Sequence, residues 1–410
     1  MKSILSYCSF LIALCGYTQD WQQVGSGIDG NVICMAELDG KIYVGGNYTG
    51  DLNYISQWDP ATQEWTDVSG DFITYAVMGM TVYNGELYVS GMYQWASGDI
   101  IASYNPTTNT WQGHGNAGGV NEVTEMFFRN NYLYIGGNGY SKKSQVGSGI
   151  WTDMSEVDNA AQIRGFAEVN GEMFVHKVET ADPWDDYTFL TFEDNTFTFA
   201  GEALDQNEFD WFKDLEVVGT DIYCTGGFFI DIDFQRIARY DTQTGIFSGL
   251  PGCPESASST ALHKDGVIYF GGSFQSPYNH VAAYTIADGS WANVGTGLDA
   301  AVDDLVVLGD TLYAIGTFAT PILHVAQIAL TPSIGVDEEK ESSIHVYPSP
   351  FQDELYFTGS TGLNTVILYD ISGKVVLQET TNESRINTSG LAPGLYVLEL
   401  NGKKSRVVKG

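Results

Sequence analysis

The sequence predicts an all-β protein: a seven-bladed β-propeller followed by a small C-terminal β-sandwich. Three observations carry that expectation. An apolar run with a central aromatic recurs seven times, centred on Tyr43, Tyr88, Tyr134, Phe174, Tyr223, Tyr269 and Tyr313, at intervals of 45, 46, 40, 49, 46 and 44 residues. That period suits four-stranded sheets of about 40–50 residues stacked around a ring. A turn dipeptide precedes the run and a glycine pair closes it, as in Asp265-Gly266-Val267-Ile268-Tyr269-Phe270-Gly271-Gly272. After Leu330 the pattern stops, and short strand runs separated by Gly and Pro turns replace it.

Taken in order, residues 1–18 are expected to be a secretory signal peptide. Lys2 gives a basic start, Ile4 to Ala13 is an apolar core too short to span a bilayer, and small residues follow at Gly16 and Thr18. Leu14 is too bulky for the position before a lipidated Cys15. Residues 19–331 hold the repeats. In the first, Asn31–Leu38 is apolar enough for an innermost strand, Asp39-Gly40 turns into Lys41–Gly46, Tyr54–Asp59 is the third strand, and Trp65 anchors the fourth. Anchors recur at Trp21, Trp65, Trp111, Trp151, Phe197, Phe247 and Trp291. Trp21 precedes the first innermost strand, and no anchor follows His324–Leu330. Trp21-Gln22-Gln23-Val24 is therefore expected to pair with His324–Leu330, closing the ring and removing its free edge. The doublets Gly45-Gly46, Gly136-Gly137, Gly226-Gly227 and Gly271-Gly272 are expected where backbones crowd or bulge.

Composition narrows the partners. The 410 residues carry 18 basic and 51 acidic side chains, a formal charge of −33. Such a field repels nucleic acid and anionic membrane, so neither is an expected partner. Five cysteines leave three beyond the signal segment, Cys34, Cys224 and Cys253, without CxxC or Cys/His metal spacing. Cys34 and Cys224 sit in apolar strand runs and are expected as small buried hydrophobes.

Candidate chemistry lies in the connections between second and third strands: Asn47–Asn53, Met92–Asp99, Asn138–Gly147, Val178–Tyr187, Phe228–Phe234, Ser273–His280 and Phe318–Leu323. They carry Tyr93, Trp95, Tyr140, Trp184, Tyr187 and Phe229, the candidate ligand-binding residues. Aromatic faces beside carboxylates suit sugar or peptide contacts; blade-to-blade packing is the structural alternative. Acids at Asp231, Asp233, Asp182, Asp185 and Asp186 offer oxygens to Ca²⁺, but no twelve-residue calcium loop is present, so no cofactor or metal is expected and solvated loops are favoured. His280 and His324 occupy equivalent repeat positions, which favours a structural role over a metal pair. GxSxG, HExxH and P-loop motifs are absent. A binding or adhesion module is the leading expectation, and an extracellular polysaccharide hydrolase or lyase acting at the ring mouth is the alternative.

Two resemblances follow from these motifs. Tyr104-Asn105-Pro106-Thr107-Thr108-Asn109-Thr110-Trp111 beside Leu87-Tyr88-Val89-Ser90-Gly91 resembles a kelch repeat, loosely and over roughly Trp21 to Leu330. The fourth repeat departs most, with His176-Lys177 in place of the glycine pair. Residues 332–344 form a linker with Pro332, Gly335 and the acidic run Asp337-Glu338-Glu339. Residues 345–410 resemble the C-terminal sorting domain of the type IX secretion (Por) system. The matching positions are Tyr347, Pro348 and Pro350; Asp370, Gly373 and Lys374; Gly394 and Tyr396; and Lys409, with Ser349 where the family usually has Asn. The resemblance implies the type IX machinery as partner and a secreted or outer-surface location.

Overall fold

The computed structural model describes residues 20–92, 95, 97–137, 140–154, 162–179, 186–200, 211–230, 233–330, 346–347, 351–357, 364–370, 374–400 and 403–410. The chain divides into two compact units, Met1–Thr331 and Pro332–Gly410. Among the described residues of the first unit there are seven four-stranded antiparallel sheets. The first is Asn31–Leu38, Lys41–Asn47, Ile55–Asp59 and Glu64–Asp67. The second begins at Val77–Tyr83, the third at Glu125–Arg129, the fourth at Gln162–Val169, the fifth at Trp211–Val218 and the sixth at Ser258–Lys264. The seventh is Val302–Leu308, Thr311–Gly316 and Val325–Ala329, completed by Gln22–Gln23 from the start of the chain. Each innermost strand lies against the next, and that of the seventh sheet lies against that of the first, a propeller-like arrangement.

Burial explains why the repeats look as they do. Ile42, Tyr43 and Val44 on the second strand are all fully buried, because the sheet is covered on both faces by its neighbours. Such strands read as continuous apolar runs rather than alternating ones. The outermost strand Glu64–Asp67 does alternate, exposed then half-buried. Five of the seven turns between first and second strands place both central residues at positive φ, as at Asp39 (54°) and Gly40 (73°) or Asp265 (50°) and Gly266 (80°), and the other two only the first, Gly219 (64°) and Gly309 (59°). The kelch-like turn has its own mechanism. Asn105 Oδ1 accepts the N–H groups of Thr107 and Thr108, both at 3.0 Å, and Asp241 Oδ1 accepts those of Gln243 and Thr244.

The tryptophan anchors fasten each sheet to the one before it. Trp65 Nε1–H donates to the Val24 carbonyl (3.0 Å), Trp111 to Val68 (2.8 Å), Trp151 to His114 (2.9 Å), Trp291 to Pro251 (3.0 Å) and Trp21 to Val294 (2.9 Å). The acceptor always follows the outermost strand of the preceding sheet. Phe247 cannot donate, and in its sheet the Tyr240 hydroxyl donates to the equivalent carbonyl, Ala200, at 2.5 Å. The expected closure is present: Gln22 pairs with Gln327 and Gln23 with Ala326.

The glycine pairs divide their roles. A Cβ on Gly46 would lie 2.2 Å from the Asn31 carbonyl oxygen, and one on Gly272 2.2 Å from that of Ala257. One on Gly45 would instead meet side-chain ends, Val77 Cγ1 at 2.7 Å among them. The Gly226-Gly227 doublet does not end its strand, which runs on to Ile230 with a register break between Thr225 and Phe228.

In the second unit, Val346–Tyr347, Glu354–Phe357 and Arg385–Asn387 form one sheet. Asn364–Asp370, Val375–Thr381, Gly394–Leu400 and Lys403–Lys409 form another. Both contribute to one apolar cluster that includes Phe351, Leu355, Leu368, Ile386, Leu398 and Val407.

Candidate functional site

The candidate residues lie on the innermost strands and come from a repeated irregularity. Six innermost strands break register at one place: between Val32/Cys34, Val77/Gly79, Ile163/Gly165, Phe212/Asp214, Ser258/Thr260 and Val302/Asp304. A β-bulge re-aims the extra side chain. The extra residues are Ile33, Met78, Arg164, Lys213, Ser259 and Asp303, of which Arg164 and Lys213 are exposed and the others half-buried.

Two of the residues that follow a bulge, Asp214 and Asp304, reach into the next sheet. Asp214 accepts the N–H of Ala261 (2.9 Å) and the Thr260 hydroxyl (3.3 Å), and its other oxygen accepts the N–H of Leu215. Asp304 does the same across the closing seam, accepting Met35 N–H at 2.9 Å and Leu305 N–H at 2.8 Å. Glu125 holds the equivalent place in the third sheet, opposite Gly136.

These groups feel one another. Burial raises the Glu125 carboxyl well above the ordinary range; Asp214 adds to the rise, Arg164 and Lys213 oppose it, and Asp304 adds again. Burial pushes Asp304 up to about 7, with Asp214 adding to it, against its hydrogen bonds from Met35 and Leu305. Asp303 is raised by burial and pulled back by Lys213. Side chains from the third, fourth, fifth and seventh sheets therefore share one polar centre. His176, fully buried 4.4 Å from the Phe212 ring, is lowered to about 3 by burial and by Arg164, and stays neutral. Among the described residues no three or more His, Cys, Asp or Glu side chains gather to hold a metal ion.

The aromatics expected in the connections are placed differently. Trp95 is 2% exposed and packs with Val77, Val89 and Phe72, so it belongs to the core rather than to a ligand surface. Tyr140 is not in a loop: Tyr140–Gln145 is the third strand of its sheet. The polar run Ser141-Lys142-Lys143-Ser144 disguised it, because Ser141 and Ser144 are the buried positions. The Tyr140 hydroxyl accepts the Glu122 N–H at 2.8 Å. Tyr187 lies in the strand Asp186–Glu193 and Phe229 in Asp221–Ile230, again strands where loops were expected. Tyr93, Trp184, Asp182, Asp185 and Asp231 lie outside the described residues. His280 and His324 share one structural role: each has positive φ, and each ring Nδ1 lies against a second-strand carbonyl, Gly272 at 3.1 Å and Gly316 at 3.0 Å.

The C-terminal positions singled out by sequence are structural fasteners. Asp370 N–H donates to the Lys374 carbonyl, and its carboxylate accepts Lys374 N–H, closing one turn. Tyr396 donates its hydroxyl to Ala392 O at 2.7 Å. Lys409, 7% exposed, donates to Gln352 O at 2.5 Å and lies 5.6 Å over the Phe351 ring. Tyr347 pairs with Tyr356, and Gly394 with Lys409. Pro348, Pro350 and Gly373 lie outside the described residues.

These features define an all-β, propeller-like protein with a C-terminal export domain, and comparison with known proteins agrees. Residues 345–410 match the family model of the secretion system C-terminal sorting domain, which implies export by the type IX secretion system. The chain is 29% identical over 87 residues to Kelch-like protein 23 of Pongo abelii, covering 20% of this chain and 15% of that protein. Among solved structures it resembles PorZ, described as a bacterial surface component of the type IX system of Porphyromonas gingivalis. That likeness has a TM-score of 0.51 at 12% identity and covers 92% of this chain and 59% of PorZ. A chain of a mitotic checkpoint complex gives a TM-score of 0.52 at 10% identity, covering 80% of this chain and 97% of that one. At these identities the likeness speaks to the fold alone. Among the described residues no helix is long and apolar enough to cross a membrane.

Proposed function

We propose that the protein is an exported ligand-binding or adhesion module. In this reading residues 1–18 direct it to the periplasm, and residues 345–410, a small β-sandwich, direct it through the outer membrane. Residues 19–331 act outside as a closed seven-bladed propeller, released or held at the cell surface, with carbohydrate or peptide as the ligand. The observation that supports a binding face is the polar centre at the bulges. Arg164 and Lys213 are exposed at the bulges near the start of their innermost strands; both act electrostatically on Glu125, and Lys213 also on Asp303. Convergent charges at a concave mouth are a common form of ligand site. The hydrolase alternative would have to work with Glu125 and Asp303, because both oxygens of Asp214 and of Asp304 are engaged by main-chain N–H groups.

Two experiments test this. The chain cut before residue 345 stays in the periplasm while the full chain leaves the cell; export of the cut chain refutes the sorting role. The full-length protein on glycan and peptide arrays gives a signal that falls with Arg164→Ala or Lys213→Ala. A signal unchanged by both variants, or no signal on any array, refutes binding at the mouth.

A further inference from the structure

The charges at the bulges also indicate what they receive. Among the described residues of the first unit there are ten basic side chains. Eight are buried or half-buried, and Arg164 and Lys213 are the two exposed ones. Their positions are equivalent. Each is the extra residue at the register break of an innermost strand, between Ile163 and Gly165 in the fourth sheet and between Phe212 and Asp214 in the fifth. Those two strands, Gln162–Val169 and Trp211–Val218, lie against each other. The exposed basic side chains among the unit's described residues therefore stand on neighbouring strands at one repeat position, in a chain whose net charge is −33.

The acids nearby do not explain the pair. Glu125 in the third sheet is half-buried and feels both cations; Asp303 in the seventh is half-buried and feels Lys213. A carboxylate that a close cation neutralises is held below the ordinary range. Burial instead holds both of these above it. They therefore take up protons more readily than free carboxyls and add less negative charge beside Arg164 and Lys213. A guanidinium and an ammonium each carry several N–H donors, so a neighbour met on one side does not use them up.

The groups at this level select the ligand. Two cations on neighbouring strands suit an anion, and the fork of an arginine suits a carboxylate. Thr124 of the third sheet and Ser259 of the sixth hold the same repeat position, ten residues before the central aromatic, and add half-buried hydroxyls on either side of the cations. With the carboxyls of Glu125 and Asp303 they offer oxygens to a ligand that has hydroxyls of its own. Densely charged chains such as nucleic acid are repelled by the remaining acids. A uronic acid sugar sets one carboxylate and several hydroxyls on a single rigid ring. An acidic peptide carries its carboxylates on flexible stems, which cost entropy to fix. We propose that the bulges bearing Arg164 and Lys213 form a subsite for the carboxylate of a uronic-acid-bearing glycan. This rests on the reading that the unit binds ligand at the bulges, and it narrows the ligand's class.

The test is calorimetric titration of the full-length protein with the hexamers of galacturonate, guluronate and hyaluronan. The methyl-esterified galacturonate hexamer removes the charge alone, and hexaglutamate is the peptide comparison. At least one uronate hexamer binds, more tightly than the ester or the peptide, and added salt weakens it. Arg164→Ala and Lys213→Ala each weaken that binding about tenfold, while the melting temperature stays within a degree or two. Binding of none of the three, equal binding of the ester, tighter binding of hexaglutamate, or affinity unchanged in either variant overturns the proposal. Array binding of a neutral glycan or a peptide that falls with Lys213→Ala, with no uronate bound, overturns it too and leaves the binding reading standing.

Discussion

The carboxylate of Asp304 accepts the backbone N–H of Met35 at 2.9 Å, joining the last inner strand of the ring to the first across 269 residues of sequence. The same device joins the fifth sheet to the sixth, where Asp214 holds Ala261. Burial keeps the Asp304 carboxyl up near 7, from an ordinary 3.8. The folded state therefore holds a proton that the unfolded chain has already released between those values. Its contribution to stability is full below the unfolded value and is lost as pH rises through the folded one. The expected outcome is a urea midpoint that falls between pH 5 and pH 8, with a smaller fall in Asp304→Asn, which cannot ionise. An equal fall in the variant assigns the pH dependence elsewhere.

The indole fasteners predict a second series. Trp111→Phe keeps an aromatic ring, though a smaller one, but loses the donor to Val68 O, and Tyr240→Phe loses the donor to Ala200 O. Each leaves a carbonyl without its partner and costs about 1–2 kcal/mol in urea unfolding. Because Tyr240 takes over the work of the missing tryptophan at Phe247, Phe247→Tyr changes little.

The glycine pair predicts an order. Gly46→Ala drives a Cβ into main chain and costs about 1–3 kcal/mol, read as a lowered melting temperature. Gly45→Ala meets side-chain ends that can move and costs less. All but one of the other repeats agree with that order: the first position is Ser90, His176, Thr225 or Ile315 elsewhere, whereas glycine keeps the second at Gly91, Gly226 and Gly316, and the fourth repeat, with Lys177 there, is the exception.

In the C-terminal unit, Lys409→Met keeps the stem and removes the donor to Gln352 O. Amide hydrogen exchange in Lys403–Lys409 and in its partner Gly394–Leu400 is expected to quicken about tenfold, the equivalent of roughly 1.4 kcal/mol. Unchanged exchange would show that the buried lysine holds nothing together.

Much of this architecture was legible in the sequence, and the reason is physical. A sheet covered on both faces must carry an uninterrupted apolar second strand, so Ile42-Tyr43-Val44 announces itself and its period counts the repeats. The closure was legible because Trp21 has no innermost strand before it. The site was less so. Trp95 looked like a loop aromatic because it stands in a connection of small and polar residues, yet it is buried and donates its indole N–H to the Tyr75 carbonyl. Tyr140 looked like a loop residue because its strand buries serines. The axial group was missed although a signal exists. Cys34, Gly79, Glu125, Gly165, Asp214, Thr260 and Asp304 each stand nine residues before the central aromatic of their repeat, and the bulged residue stands one before that. Aligning the repeats on the aromatic brings Arg164, Lys213 and Asp303 into one column; reading strands singly does not, because a charge inside an apolar run passes for a strand end.

The most direct test of the ring is a cross-link between its extremes. Gln22 and Gln327 are paired across adjacent strands, a separation compatible with a disulfide. The double variant Gln22→Cys/Gln327→Cys, oxidised and digested, is expected to yield a peptide joining the two positions in intact monomer, together with a raised melting temperature. Both cysteines recovered as free thiols, or joined only between two molecules, would contradict the closed ring.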